Sequence, residues 1–191
     1  MVTTTAKRFT ISEYHHLAQL GFLKDSERVE LIRGEIIYMA SKGKAHSTVN
    51  RRLIRELSIL LKNLVTIQSQ DPIIIQNDSE PEPDITILRN RSDDYLNSHP
   101  SPEDILLLIE IADSSLKYDQ EVKLPLYAEA GIKYYWIFNL ADNHLECHSE
   151  PLQDSQGKFT YRKKEILLPT EPVTLPCFPN LTLDLSKVFP K

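Results

Sequence analysis

The stretch Ile105-Leu106-Leu107-Leu108-Ile109-Glu110-Ile111 decides how this chain is read. It is nearly all apolar, the mark of a strand buried on both faces. Downstream, a helix is predicted from about Asp119 to Ala130, with Gly131 as its C′ residue, followed by a strong strand, Tyr134-Tyr135-Trp136-Ile137-Phe138. Short strands such as His144 to Glu150 and Phe159 to Arg162 follow, broken by Gly and Pro. Upstream, Asp84-Ile85-Thr86-Ile87-Leu88 reads as a strand behind Pro81 and Pro83, and Ile73-Ile74-Ile75 as another. The polar segment from Asp93 to Pro102 reads as a loop.

Nearer the N-terminus, a long helix is predicted from Ala45 to Leu64. Its apolar stripe is Val49, Leu53, Leu57, Leu60 and Leu64, with Arg51, Arg55 and Lys62 opposite. Two β-rich runs flank Arg33-Gly34 as a hairpin. The first helix carries an N-cap at Thr10, a capping-box Glu13, a Phe9/Tyr14 staple and a stop at Gly21. The order helix, hairpin, helix, strands, helix, strands predicts an α/β or α+β fold, a central mixed sheet flanked by helices.

The 191 residues suit a single domain over 1–191, of ordinary domain size. With 41% apolar and 26% charged residues, a disordered chain is ruled out. No apolar run approaches the roughly 18–20 residues of a membrane span. The segment Met1 to Arg8 lacks the apolar core of a signal peptide. Cys147 and Cys177 form neither a disulfide framework nor a zinc spacing. The expectation is a soluble, cytoplasmic protein with no membrane partner. The 22 basic and 27 acidic side chains leave a net charge of −5. That balance argues against a broadly basic nucleic-acid coat but leaves room for a local basic groove.

Glu110 interrupts the apolar run near the end of the central strand. An unpaired buried carboxylate is costly, so it finds a partner, binds a metal or takes up a proton. A carboxylate emerging into solvent where the strand stops is the other reading. Asp84 opens the neighbouring strand, either as a turn residue or as a second acid. Two acids ending neighbouring strands make a hard, oxygen-rich site suited to magnesium or manganese. Lys123 lies on the following helix, either aimed at the strand end or paired on the surface with Asp119 four residues back. Glu30, between Val29 and Leu31, would face solvent in a half-buried strand. His46 opens the long helix beside a basic cluster of Lys42, Lys44, Arg51, Arg52 and Arg55. Arg51 and Arg55 share a face that Lys44 extends, a stripe able to contact phosphates or to stay solvated. No phosphate-binding Gly loop, zinc helix or nucleophile elbow occurs.

The chain resembles the Uma-type family of putative restriction endonucleases, within the PD-(D/E)XK nuclease superfamily. The resemblance rests on Phe9 to Tyr14, Val29 to Glu35, His46, Pro81 to Ile85 and Leu108 to Ser115. Its most specific part runs from Tyr118 through Lys123 and Tyr127 to Trp136. It implies a restriction-endonuclease-like core and a metal-dependent hydrolase that cuts DNA. Pro83-Asp84 is similar to the superfamily's Pro-Asp, with Asp84 a metal ligand, Glu110 the second acid and the backbone carbonyl of Ile111 a third ligand. Alanine stands at position 112, where the superfamily has lysine, and Lys123 is similar to a lysine moved to the next helix. Glu30 resembles an additional catalytic acid. His46 matches a recurrent histidine and is grouped with Lys44, Arg51 and Arg55 as DNA-binding. The implied cofactor is Mg2+, or Mn2+, the implied partner is DNA, and analogy with restriction nucleases implies a homodimer. Two other classes stand beside this one. One is a weak or inactive nuclease-fold protein that binds nucleic acid or a protein partner. The other is a metal-free acid-pair hydrolase acting on sugars.

Overall fold

The computed structural model describes residues 5–24 and 27–190. Helix α1 (Ile11–Gln19) starts from the full capping box of Thr10 and Glu13. Strands β1 (Val29–Ile32) and β2 (Glu35–Tyr38) form the hairpin. Its turn needs positive φ at both Arg33 (50°) and Gly34 (75°), the primed geometry that matches strand twist. A side chain at Gly34 would meet Arg8 Cβ at 2.7 Å. Helix α2 (Lys44–Leu61) follows, then β3 (Thr66–Gln68), β4 (Ile85–Leu88) and β5 (Ile105–Ala112). A continuous helical segment comprises α3 (Leu116–Tyr118), a π-helical turn (Asp119–Lys123) and α4 (Leu124–Glu129). Strands β6 (Tyr134–Asn139), β7 (His144–Gln153) and β8 (Phe159–Leu167) come next. A separate hairpin of β9 (Pro172–Leu175) and β10 (Phe178–Asp184) ends the fold.

Six strands pair in the order β3-β4-β5-β6-β7-β8. The β5–β6 pair is parallel and its neighbours are antiparallel, so the sheet is mixed. The apolar run does lie near the middle, buried along almost its whole length. Alternation splits its side chains between two cores. Leu107, Ile109 and Ile111 meet Val49, Leu53, Leu57 and Leu61 of α2. Leu108 and Ala112 meet Leu126, Tyr127 and Ala128 of α4. Each fully buried aliphatic side chain contributes roughly 1.5–3 kcal/mol.

Three expectations change. Ile73 to Ile75 is not a strand, although Ile73 and Ile75 are buried. Its facing segment contains Pro81 and Pro83, which have no N–H to extend a ladder. Ile73 N–H donates to Pro81 O, and pairing stops at a single Ile75–Ser79 bridge. Helix α2 ends at Leu61 because Lys62 takes φ 49°. Its stripe therefore runs through Leu61, and Leu64 is 59% exposed. The later helix starts at Leu116 rather than Asp119.

Candidate active site

In the β4–β5 register Ile85 lies opposite Ile109, so Asp84 falls beside Glu110 at the strand ends. Glu110 alternates with Ile109 and Ile111 and therefore points to the α3–α4 side. The Asp84 N–H donates to Glu110 Oε2 at 3.3 Å, and the Ile111 N–H donates to Asp84 Oδ2 at 2.9 Å. Glu110 is 3% exposed and closely partnered, so it does not emerge into solvent.

Lys123 points inward from the π turn. Its Nζ lies 2.9 Å from Glu110 Oε1 and 3.3 Å from Glu30 Oε2. Asp119 and Lys123 are both buried rather than paired on the surface. An i→i+5 turn widens the helix locally, a feature frequent at functional sites, and turns both residues toward the sheet. Tyr127 OH donates to Glu110 Oε1 at 3.0 Å, and Ser115 OH donates to Asp119 Oδ2 at 2.7 Å.

Glu30 is only 2% exposed, against the exposed position expected from alternation. Every residue of β1 is buried. Leu31 bridges to Glu80 on one side, and Tyr14 OH donates to Val29 O from α1. Glu30 Oε2 also accepts the Glu82 N–H at 3.2 Å.

Four buried acids, Glu30, Asp84, Glu110 and Asp119, thus surround one buried ammonium. Burial pushes the Glu110 carboxyl well above the usual range, against the pull of Lys123. Burial likewise pushes Asp119 up to about 6. Burial opposes charge on Asp84 too, but the His46 hydrogen bond and charge, the Ile111 N–H and Lys123 hold its carboxyl below the usual range. Burial opposes charge on Lys123, but Glu110, Glu30 and Asp119 hold it well above the usual amine value. It is an ammonium at neutral pH, which suits it to electrostatic work and not to proton abstraction.

These groups line a cavity of about 290 Å³, together with Lys42 and His46. Its donors are hard oxygens, and its acids outnumber its lysines, which fits a divalent cation. Among the described residues, no three His, Cys, Asp or Glu side chains are grouped to hold a metal alone. Ile111 contributes its N–H to Asp84 rather than a free edge.

The basic stripe divides. Lys44 and Arg51 are exposed and line a second cavity of about 450 Å³ with Lys42, Gly43, Ser47 and Thr48. Arg55 is exposed further along and pairs with Glu56 at 3.2 Å. Arg52 instead donates to the carbonyls of Val188 and Phe189. His46 does not belong with the outward stripe: it is buried, with Nε2 2.9 Å from Asp84 Oδ2. Its helical spacing from Val49 and Leu53 puts it on the inward face. Tyr127 and Asp119 were not among the sequence candidates, and Lys42 figured only as a member of the basic cluster. Tyr127 and Asp119 stand four residues either side of Lys123, a spacing that marks one helical face.

A family model described as Uma2, putative restriction endonuclease, matches residues 11–186. The comparison with curated proteins finds no match. The fold is similar to the crystal structure of a putative nuclease belonging to DUF820 from Anabaena variabilis. The TM-score is 0.69 at 16% identity, over 95% of this chain and 97% of that one. Among the described residues no helix is long and apolar enough to cross a membrane.

Proposed function

This chain belongs to the Uma2 family of putative restriction endonucleases, and we propose that it is a metal-dependent endonuclease that hydrolyses DNA phosphodiester bonds. The observation that carries this reading is the convergence of Glu30, Asp84, Glu110 and Lys123 on one cavity. Residues from β1, β5, the π turn and the entry to β4 meet there, although they are far apart in sequence.

A phosphodiester resists attack because its anionic oxygens repel a nucleophile. Asp84 and Glu110, with the Ile111 backbone, are the residues that would hold Mg2+ or Mn2+, which supplies positive charge against the phosphate in the transition state. Asp84 is the better prepared ligand, because His46 and the Ile111 N–H fix its carboxylate in the ionised form. Glu110 carries its proton more readily, and a bound cation would favour its ionised form. Lys123 keeps Glu110 and Glu30 oriented and supplies fixed positive charge beside them. Glu30, with one oxygen on the Glu82 N–H, is placed to hold or orient water at the inner wall. The exposed Lys44, Arg51 and Arg55 receive the DNA backbone, and cutting both strands of a duplex calls for two copies of the chain.

The test incubates the protein with plasmid, linear and single-stranded DNA, with magnesium, manganese or chelator, beside Asp84→Ala and Lys123→Ala. Metal-dependent cleavage lost in both variants is expected. Cleavage that survives both substitutions would sink the assignment. Salt-sensitive binding without cleavage would instead favour a nucleic-acid binder that keeps the fold, a reading supported by Ala112 at the superfamily's lysine position.

A further inference from the structure

The cavity is lined by two lysines, and they are placed very differently. Lys123 is 4% exposed and sits behind the carboxylates, ion-paired to both Glu110 and Glu30. It cannot reach a substrate oxygen without leaving buried carboxylates uncompensated. Lys42 stands at the other side. Its side chain is 20% exposed, and its closest acid is Asp84 Oδ1 at 3.9 Å, beyond hydrogen-bond distance. Among the described residues no hydrogen bond occupies its ammonium, so all three donors remain open.

Lys42 is also the side chain common to both cavities. It lines the acidic pocket, and it lines the basic groove with Lys44 and Arg51. The adjacent Gly43 passes close to Asp113, where an added Cβ would stand only 3.0 Å from Oδ2. A strand lying in the groove would meet Lys42 where the groove adjoins the pocket of Asp84 and Glu110. Without a cation at that junction, the acids of the pocket would repel the phosphate they are meant to act on.

We propose that Lys42 is a catalytic residue: its ammonium binds a non-bridging oxygen of the phosphate being cut and joins the groove to the pocket. This rests on the nuclease reading. Lys42 holds the phosphate, and Lys123 is the positioning residue that holds the acids.

The experiment compares wild type, Lys42→Ala, Lys42→Arg and the outward-facing Lys117→Ala. Binding of a duplex oligonucleotide is measured across salt concentrations with calcium in place of magnesium, and single-turnover cleavage is measured with magnesium. Loss of one phosphate contact lowers the slope of log affinity against log salt by about 0.9. Lys42→Ala should show that loss and cleave about a hundredfold more slowly at saturating DNA, the scale for one electrostatic donor. Lys42→Arg should restore the slope, Lys117→Ala should match wild type, and melting temperatures should agree among all four. If Lys42→Ala keeps the wild-type slope and rate, the Lys42 role is overturned and the nuclease reading stands. If its losses follow a collapsed melting temperature and Arg does not rescue them, a direct contact is likewise refuted. Wild type that neither binds nor cuts DNA overturns the nuclease reading and Lys42 with it.

Discussion

Replacing Lys123 with alanine should be costly, and the cost should depend on pH in a defined direction. The ammonium lies 2.9 Å from Glu110 and 3.3 Å from Glu30, with all three side chains almost fully buried. Breaking a buried pair by removing one partner costs about 3–5 kcal/mol, because the remaining charge is uncompensated. At about 2–4 °C per kcal/mol for a chain of this size, melting should fall by about 6–20 °C. Glu110 sets the pH dependence. Its folded pKa lies above the ordinary 4.5, so its contribution is fully present below that value and is lost as pH rises through the folded one. Lys123 opposes that rise, and without it Glu110 holds its proton to still higher pH. Lys123 itself is raised, so its contribution persists through neutral pH and is lost only above about 10.5. The alanine variant should therefore lose least near pH 4, below the ordinary carboxyl value, and more near pH 8.5, where Glu110 without its partner must either take up a proton on folding or enter the interior charged. Urea unfolding at both pH values, with chelator present, reads this directly. A loss under about 1 kcal/mol at both would refute the buried cluster.

Other consequences are separable. Tyr127→Phe removes one donor from Glu110 Oε1 and should cost about 1.5–3 kcal/mol by chemical denaturation, with slower metal-dependent cleavage. Leu57→Ala should cost about 2–5 kcal/mol, whereas Leu64→Ala should stay within about 0.5 kcal/mol, which checks where α2 ends by melting curves. Glu146 is buried, but its bonds to His148, Lys164 and Gln120 outweigh burial and hold its carboxyl below the usual range. Its contribution is therefore present above about 4.5 and is lost as pH falls through the folded value. Glu146→Gln should be destabilised at pH 7, with the difference from wild type shrinking as acid unfolding is carried progressively below pH 4.5.

The parts of the fold that the sequence made legible are those in which one local rule acts without competition. The run from Ile105 to Ile111 had to be buried on both faces, and the Thr10 capping box and the Arg33-Gly34 turn obey purely local chemistry. The misreadings have tertiary causes. Alternation put Glu30 in solvent because it assumes that one face of a strand is wet, and β1 is covered on both. An i, i+4 reading left Asp119 and Lys123 open to a surface pairing, because nothing in the residue order announces a π turn. Ile73 to Ile75 had the composition of a strand, but the prolines that deny it a ladder lie in a different segment. His46 was grouped by charge with its sequence neighbours, whereas helical phase turns it inward to Asp84. The acids and Lys123 could be nominated from the order of motifs, but their meeting in space depends on the β4–β5 register.

The central claim is that Asp84 and Glu110 together hold one divalent ion. Manganese binding, followed by the loss of the free aqueous ion's paramagnetic resonance signal, tests it without requiring cleavage. One site per chain is predicted for the wild type, weakening as pH falls and protons return to Glu110, and abolished in both Asp84→Asn and Glu110→Gln. Wild-type stoichiometry and affinity retained in both variants would contradict the account.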